Sequence, residues 1–138
     1  MTSTTEQNKA IVLRFNKECI EQGKQESFDS LLAADCINHL APAGSNGPES
    51  MVHFLKQVLR NGFPDIKVEI LDQIAEGDRV TTRKKLHGTH TGEFMGIPAT
   101  NKKVVIDVID IVKLRDGKYT DHWACSSLHE VIAMLGAK

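Results

Sequence analysis

The chain carries almost no excess charge of either sign: 17 lysines and arginines stand against 18 aspartates and glutamates, a formal net charge of -1 before any histidine is protonated. A nucleic-acid or acidic-membrane partner needs a basic face that releases counterions from phosphates, and Lys84 and Lys85 make only a local cluster, so neither partner is expected. Apolar runs of membrane-spanning length are missing. The polar start MTSTTEQNKA also has no charged segment leading into an apolar stretch, so neither a membrane helix nor a secretory signal is expected. Cysteine is scarce: Cys19, Cys36 and Cys125 are odd in number, far apart and form no CxxC pair, which fits free thiols in a reducing cytoplasm. No GxxxxGK loop is there to cradle a phosphate, and no repeat, low-complexity tract or linker divides the chain.

What is present suits one globular unit over residues 1–138. A chain of this length, with 41% hydrophobic residues, buries roughly two-thirds of the surface that its unfolded form exposes. From Asn8 to Ile20 the apolar residues Ile11, Val12, Phe15, Cys19 and Ile20 recur three and four apart, which predicts a helix; Thr4 with Gln7 resembles a capping box and Gly23 a left-handed stop. A second short helix is expected around Phe28, Leu31 and Leu32 to about Asp35, then a brief strand from Cys36 to His39 and a loop from Ala41 to Gly47. Pro48 opens a third helix carrying Met51, Phe54, Leu55, Val58 and Leu59, which ends at Asn61-Gly62.

Beyond Phe63-Pro64-Asp65 the period falls to two. Strands are predicted over 66–74, 79–87, 103–114 and 119–125, with turns at Glu76-Gly77-Asp78 and Arg115-Asp116-Gly117-Lys118 and a loop from Gly88 to about Asn101. Ser127 with Glu130 offers a capping box for a terminal helix. Helices first and meandering strands second give an α+β fold: a strongly curved antiparallel sheet packed against three N-terminal helices, with an apolar pocket between the two layers.

The last hairpin, IDVIDIVKLRDGKYTDHW, places ionisable residues inside apolar strands. A three-residue loop with a glycine bulge would set Asp110 opposite His122, whereas a two-residue loop would set it opposite Trp123. A carboxylate beside an imidazole fixes its tautomer and stabilises its protonated form, so Asp110 and His122 are the candidate catalytic pair; a satisfied structural pair is the plainer reading. His39, before a Pro/Gly loop, is expected to reach the pocket from the helical side. Trp123 must point to the face opposite His122, where packing or a dimer contact is its expected role. The loop HGTHTGEFMGIPAT, with Phe94 and Met95, is expected to cover the pocket mouth. Substrate contacts are assigned to His39, Phe54, Phe94, Met95, Val108 and Ala124. His87 and His90 lie three apart without further ligands to complete a metal site, so no metal is expected. Thr81 to Lys85 reads as a solvated strand, in which Arg83 would stabilise an anion or enolate if it faced inward.

The succession FPD, AEGDRV, GTHTGEFMGIPAT, IDIVKLRDGK and HW, with Asn38-His39, resembles the SnoaL-like polyketide cyclase or ester-cyclase family of the nuclear-transport-factor-2-like superfamily. The resemblance implies a cone-shaped α+β barrel, a homodimer formed through the sheet, and closure of a polyketide ester ring by an intramolecular aldol step with acid–base side chains and no metal or organic cofactor. Relatives with this fold isomerise terpenoid-like compounds. In the cyclases a carboxylate follows the HW pair; here that position is Ala124. Asp107 and Asp121 have the opposite strand parity to Asp110 and His122 and are set aside. Two readings follow. One is a cyclase or isomerase acting on a hydrophobic carbonyl compound. The other is a module of the same fold that binds an apolar ligand or dimerises without catalysis.

Overall fold

The computed structural model describes residues 4–42 and 44–136. Residues 1–3 of the polar start and residue 43 of the expected loop lie outside that range. The first helix, α1, is α-helical over Thr4–Phe15 and continues as π-helical turns over Asn16–Glu21. It stops at Gly23, whose φ of +63° is the left-handed conformation that glycine adopts without penalty, and the Gly23 N–H closes on the Cys19 carbonyl. The second helix, α2, spans Gln25–Leu31. The third, α3, starts with Pro48 at its first turn, runs Pro48–His53, widens to π-type turns over Phe54–Leu59 and closes over Arg60–Gly62. The fourth, α4, is Leu128–Gly136.

Five strands, β1 (Leu32–Asn38), β2 (Lys67–Glu76), β3 (Arg79–Thr89), β4 (Lys103–Arg115) and β5 (Lys118–Ser126), form one sheet in the order β1-β5-β4-β3-β2. Two expectations need correction. Strand β1 begins at Leu32, where a helix was expected to continue to about Asp35. It also pairs with β5 in parallel, so the sheet is mixed rather than antiparallel. The edges β1 and β2 do not pair with each other, so the sheet stays open and does not close into a barrel.

Packing separates the two sheet faces by parity. On β3, Val80, Thr82, Lys84 and Leu86 are buried while Arg79 and Arg83 are exposed, and on β4 Val104, Ile106, Asp110, Val112 and Leu114 are buried. Phe15 and Val12 of α1, Phe28 of α2, and Met51 and Leu59 of α3 cover this inner face. Tyr119 stacks on Phe15 with ring centroids 4.4 Å apart, and Phe28 meets Phe15 edge-on at 5.9 Å.

The GTHTGEF segment is part of this scaffold. Thr91 and Gly92 donate backbone hydrogen bonds to the Gly62 carbonyl at the end of α3, and a side chain at Gly92 would strike the Asn61 carbonyl oxygen. Phe94 is fully buried and packs on Phe63 at 5.0 Å, while His90 lies against Phe63 at 5.6 Å. Asp65, from the FPD step, accepts hydrogen bonds from the Thr89 N–H and hydroxyl at 2.8 and 2.7 Å. The hydroxyl of Ser127, expected as a helix cap, instead accepts the Asp107 N–H at 2.8 Å and ties α4 to β4. No helix among the described residues is long and apolar enough to cross a membrane.

Candidate functional site

Between the inner sheet face and helices α1 and α3 lies a cavity of about 160 Å³. Its walls are apolar, with Phe15 and Ile20 from α1, Phe54 and Leu59 from α3, and Ile106 and Val108 from β4. Its polar groups are Lys84, Asp110 and His122 from three adjacent strands, with Asn38, Tyr119 and Ser126 beside them.

One local irregularity in the β4–β5 hairpin sets which of these groups meet. The β4–β5 hairpin turns on two residues, Asp116 and Gly117, with φ of +53° and +78°, the mirror-image turn that matches strand twist. Unmodified, such a loop would pair Asp110 with Trp123. Pairing instead shifts between Lys113 and Leu114: Leu114 faces Tyr119, Lys113 faces Asp121, and Thr120 is the extra residue of a bulge. Beyond that bulge Val112 faces His122, and Asp110 faces Ala124. Both expected registers are therefore replaced. The bulge is also why Tyr119 and His122, three apart and so of opposite parity, both reach the cavity.

Asp110 and Lys84 are 95% removed from solvent and form an ion pair at 3.2 Å from Nζ to Oδ2. His122 Nε2 lies 3.5 Å from the same Oδ2, and its Nδ1 lies 3.2 Å from Asn38 Oδ1. Lys84 also donates to Asn16 Oδ1 at 2.7 Å. Asn16 is held in turn, because its Nδ2 donates to the Val12 carbonyl at 2.8 Å, at the point where α1 changes to π-type turns. Burial pushes the Asp110 carboxyl up, but the Lys84 ammonium, followed by His122, outweighs burial and holds it below the ordinary aspartate value. Asp110 is therefore a carboxylate at neutral pH. Burial, followed by the Asp110 charge, pushes the Tyr119 hydroxyl well above its ordinary value, so it stays a neutral phenol.

Chemically, His122 is the group able to exchange a proton in this arrangement. With Nδ1–H donating to Asn38, a proton received at Nε2 gives an imidazolium that donates to Asp110 Oδ2. Lys84 supplies a fixed positive charge beside the same carboxylate, suited to charge that develops on an oxygen.

Of the residues singled out in the sequence, Asp110, His122, Phe54, Val108 and Ala124 line the cavity. His39, Phe94 and Met95 do not. His39 is turned to the other face of β5, where Nε2 meets Asp121 Oδ2 at 2.9 Å and the ring stacks on Trp123 at 4.5 Å. Its chain neighbour Asn38 faces the cavity instead. Phe94 is buried in the scaffold and Met95 is exposed on a turn, so the loop does not cover the mouth as expected. Arg83 faces solvent and pairs with Asp72 at 2.6 Å. The inward cation on β3 is Lys84, read from the sequence as part of a solvated strand. Its signal was available in the alternation of Val80, Thr82, Lys84 and Leu86, which share one parity. Asn16, the polar residue inside the apolar stripe of α1, was the matching signal.

The fold is thus an open α+β sheet with the ion-paired Lys84, Asp110 and His122 cluster at the wall of an apolar cavity. The family model for SnoaL-like polyketide cyclase matches residues 10–133, and the chain belongs to that family. It is 26% identical over 76 residues to the aklanonic acid methyl ester cyclase DnrD of Streptomyces peucetius, a match over 55% of this chain that spans about half, 52%, of that cyclase. It is 22% identical over 116 residues to the nogalonic acid methyl ester cyclase of Streptomyces nogalater, covering 83% of this chain and 87% of the relative. Among solved structures, a protein of Jannaschia sp. CCS1 assigned to the SnoaL-like polyketide cyclases superposes with a TM-score of 0.86 at 26% identity, covering 100% of this chain and 98% of the other.

Proposed function

We propose that the protein is a cyclase or isomerase that removes a proton beside the carbonyl of a hydrophobic small molecule and returns it after rearrangement. The observation that carries this reading is the meeting of Lys84 and His122 on one oxygen of buried Asp110 at the wall of an apolar cavity. His122 acts as base, Asp110 steadies the imidazolium, and Lys84 stabilises the enolate oxygen. In a ring closure the enolate carbon attacks a second carbonyl, the carbon–carbon bond forms, and that carbonyl's π pair becomes an alkoxide. The alkoxide takes the proton held on His122, so the step is balanced and redox-neutral.

The two cyclase relatives and the family membership support ring closure as the reaction type. Ala124, at the position where the family resemblance implies a carboxylate, favours the alternative of ligand binding without turnover. Asp110 supplies a carboxylate at the facing position of the neighbouring strand, which favours catalysis. Acetonylacetone, a linear diketone small enough for the cavity, tests the reading: ring closure to the cyclic hydroxyketone should be accelerated by the protein and lost in His122→Ala. Binding of the diketone with no acceleration supports the alternative.

A homodimer through the outer sheet face is part of the same proposal. Ile74, Thr81, Ile111 and Trp123 lie in one cross-strand row on that face, with Ile74 69% and nearby Ile109 50% exposed. Sedimentation should give a dimer that Ile111→Lys converts to a monomer. A monomeric unmodified chain contradicts it.

A further inference from the structure

The His122 ring lies between two acceptors: Asp110 Oδ2 is 3.5 Å from Nε2, and Asn38 Oδ1 is 3.2 Å from Nδ1. A neutral imidazole has one N–H to give, so the two acceptors compete for its proton. The nitrogen that keeps its lone pair is the one where a substrate proton can land.

The orientation of the Asn38 amide decides the competition, and a neighbour fixes that orientation. The Leu40 backbone N–H, which can only donate, bonds the same Asn38 atom at 3.2 Å. That atom is therefore the amide oxygen, and His122 Nδ1 can bond it only as a donor. The 3.2 Å contact lies within hydrogen-bond range and the 3.5 Å contact lies beyond it, so the proton of the neutral ring sits on Nδ1. Nε2 keeps its lone pair, on a residue that lines the cavity.

Backbone pairing holds Asn38 in place for this role. Asn38 is in register with His122 across the parallel β1–β5 pair, and the next residue, His39, donates its N–H to the His122 carbonyl at 2.8 Å. The Asn38 N–H donates to the Asn46 carbonyl at 2.8 Å, and the Asn38 carbonyl accepts the Ala41 N–H at 3.1 Å. When Nε2 takes up a proton the Nδ1 bond is unchanged, and the new N–H has Asp110 Oδ2 as its acceptor. Without the Asn38 oxygen, a charge-assisted bond to the Asp110 carboxylate would draw the single proton to Nε2. The lone pair would then sit on Nδ1, facing β1.

We propose that Asn38 is a positioning residue: its amide oxygen, aimed by the Leu40 N–H, holds the His122 proton on Nδ1 and keeps Nε2 open to a substrate proton. The proposal rests on the reading of His122 as the base.

Nitrogen-15 NMR of the whole chain with labelled histidines reads the tautomer, because protonated and unprotonated ring nitrogens resonate far apart. The His122 signals are those missing from the His122→Ala spectrum. In the neutral ring of the unmodified protein, Nδ1 should carry the proton and Nε2 should not. Asn38→Leu should reverse the two, and should slow proton exchange next to the carbonyl of cyclohexanone by about a hundred- to ten-thousandfold. Asn38→Asp still offers an oxygen to Leu40 and His122 and should keep the proton on Nδ1. A proton on Nε2 in the unmodified protein or in Asn38→Asp, or on Nδ1 in folded Asn38→Leu, would overturn the proposal, as would undiminished exchange in Asn38→Leu. The reading on the unmodified protein stands even if Asn38→Leu does not fold. The tautomer is read without turnover: an unmodified protein that fails to accelerate exchange counts against the acid–base reading and leaves the tautomer result untouched.

Discussion

Asp110 on β4 and Ala124 on β5 stand directly opposite each other, side chains toward the same cavity. The carboxylate that the family resemblance places after the HW pair is absent from β5, and a carboxylate is present one strand away. Cross-strand partners have Cβ atoms roughly 5 Å apart, so an acid at either position reaches the same neighbours.

That relationship predicts a rescue. Asp110→Ala should cost about 3–5 kcal/mol, because it leaves Lys84 charged and buried without its counter-ion. Adding Ala124→Asp to that variant should recover at least about 1 kcal/mol, read from urea unfolding midpoints at constant m-value. No recovery would mean that the two positions do not share the Lys84 ammonium.

The ion pair should also be strongly non-additive. Lys84→Met alone strands Asp110 and should destabilise by about 3–5 kcal/mol, whereas Lys84→Met with Asp110→Leu should lie within about 1 kcal/mol of the unmodified protein or above it. Additive losses in the double variant would contradict a shared buried pair.

Acid sensitivity follows with a definite sign. The folded Asp110 carboxyl is held below its unfolded value, so its contribution is complete at neutral pH and is lost as pH falls below about 4. The Asp110→Leu, Lys84→Met double variant should show a shallower acid limb in thermal unfolding. Glu18, Asp65 and Asp121 are also held low, but they are common to both proteins and cancel in the difference. Parallel acid limbs would contradict it.

The helix periods, the strand parities and the α+β order were legible because burial repeats at 3.6 and 2 residues wherever one face is covered. The parallel pairing of β1 with β5 was not, since seven residues of strand carry no mark of their direction. Hairpin register escaped for a related reason: Asp116-Gly117 announces a two-residue turn, but nothing in Tyr119-Thr120-Asp121 announces a bulge. Asp110 and His122 could be singled out as polar residues within apolar strands, while Lys84 was hidden among Thr81, Thr82, Arg83 and Lys85. The motifs that looked most distinctive, FPD and GTHTGEF, belong to the scaffold: Asp65 anchors Thr89, and Gly92 lets the loop meet the end of α3.

The thiols should react in an order set by burial. Burial pushes Cys19 up to about 12 and Cys36 up to about 11, so neither supplies useful thiolate in mild alkali, while Cys125 is exposed. Iodoacetamide labelling of the folded protein, mapped by mass spectrometry, should modify Cys125 and spare the other two until denaturant is added. Early labelling of Cys19 or Cys36 would show that the inner face opens under native conditions.

Proton abstraction beside a carbonyl is measured most directly by hydrogen–deuterium exchange into cyclohexanone in deuterium oxide, followed by proton NMR. The unmodified protein should accelerate exchange at the positions next to the carbonyl, and His122→Ala should lower that acceleration by about a hundred- to ten-thousandfold. Exchange no faster than in buffer, or equally fast in His122→Ala, would contradict the assignment of His122 as the proton carrier.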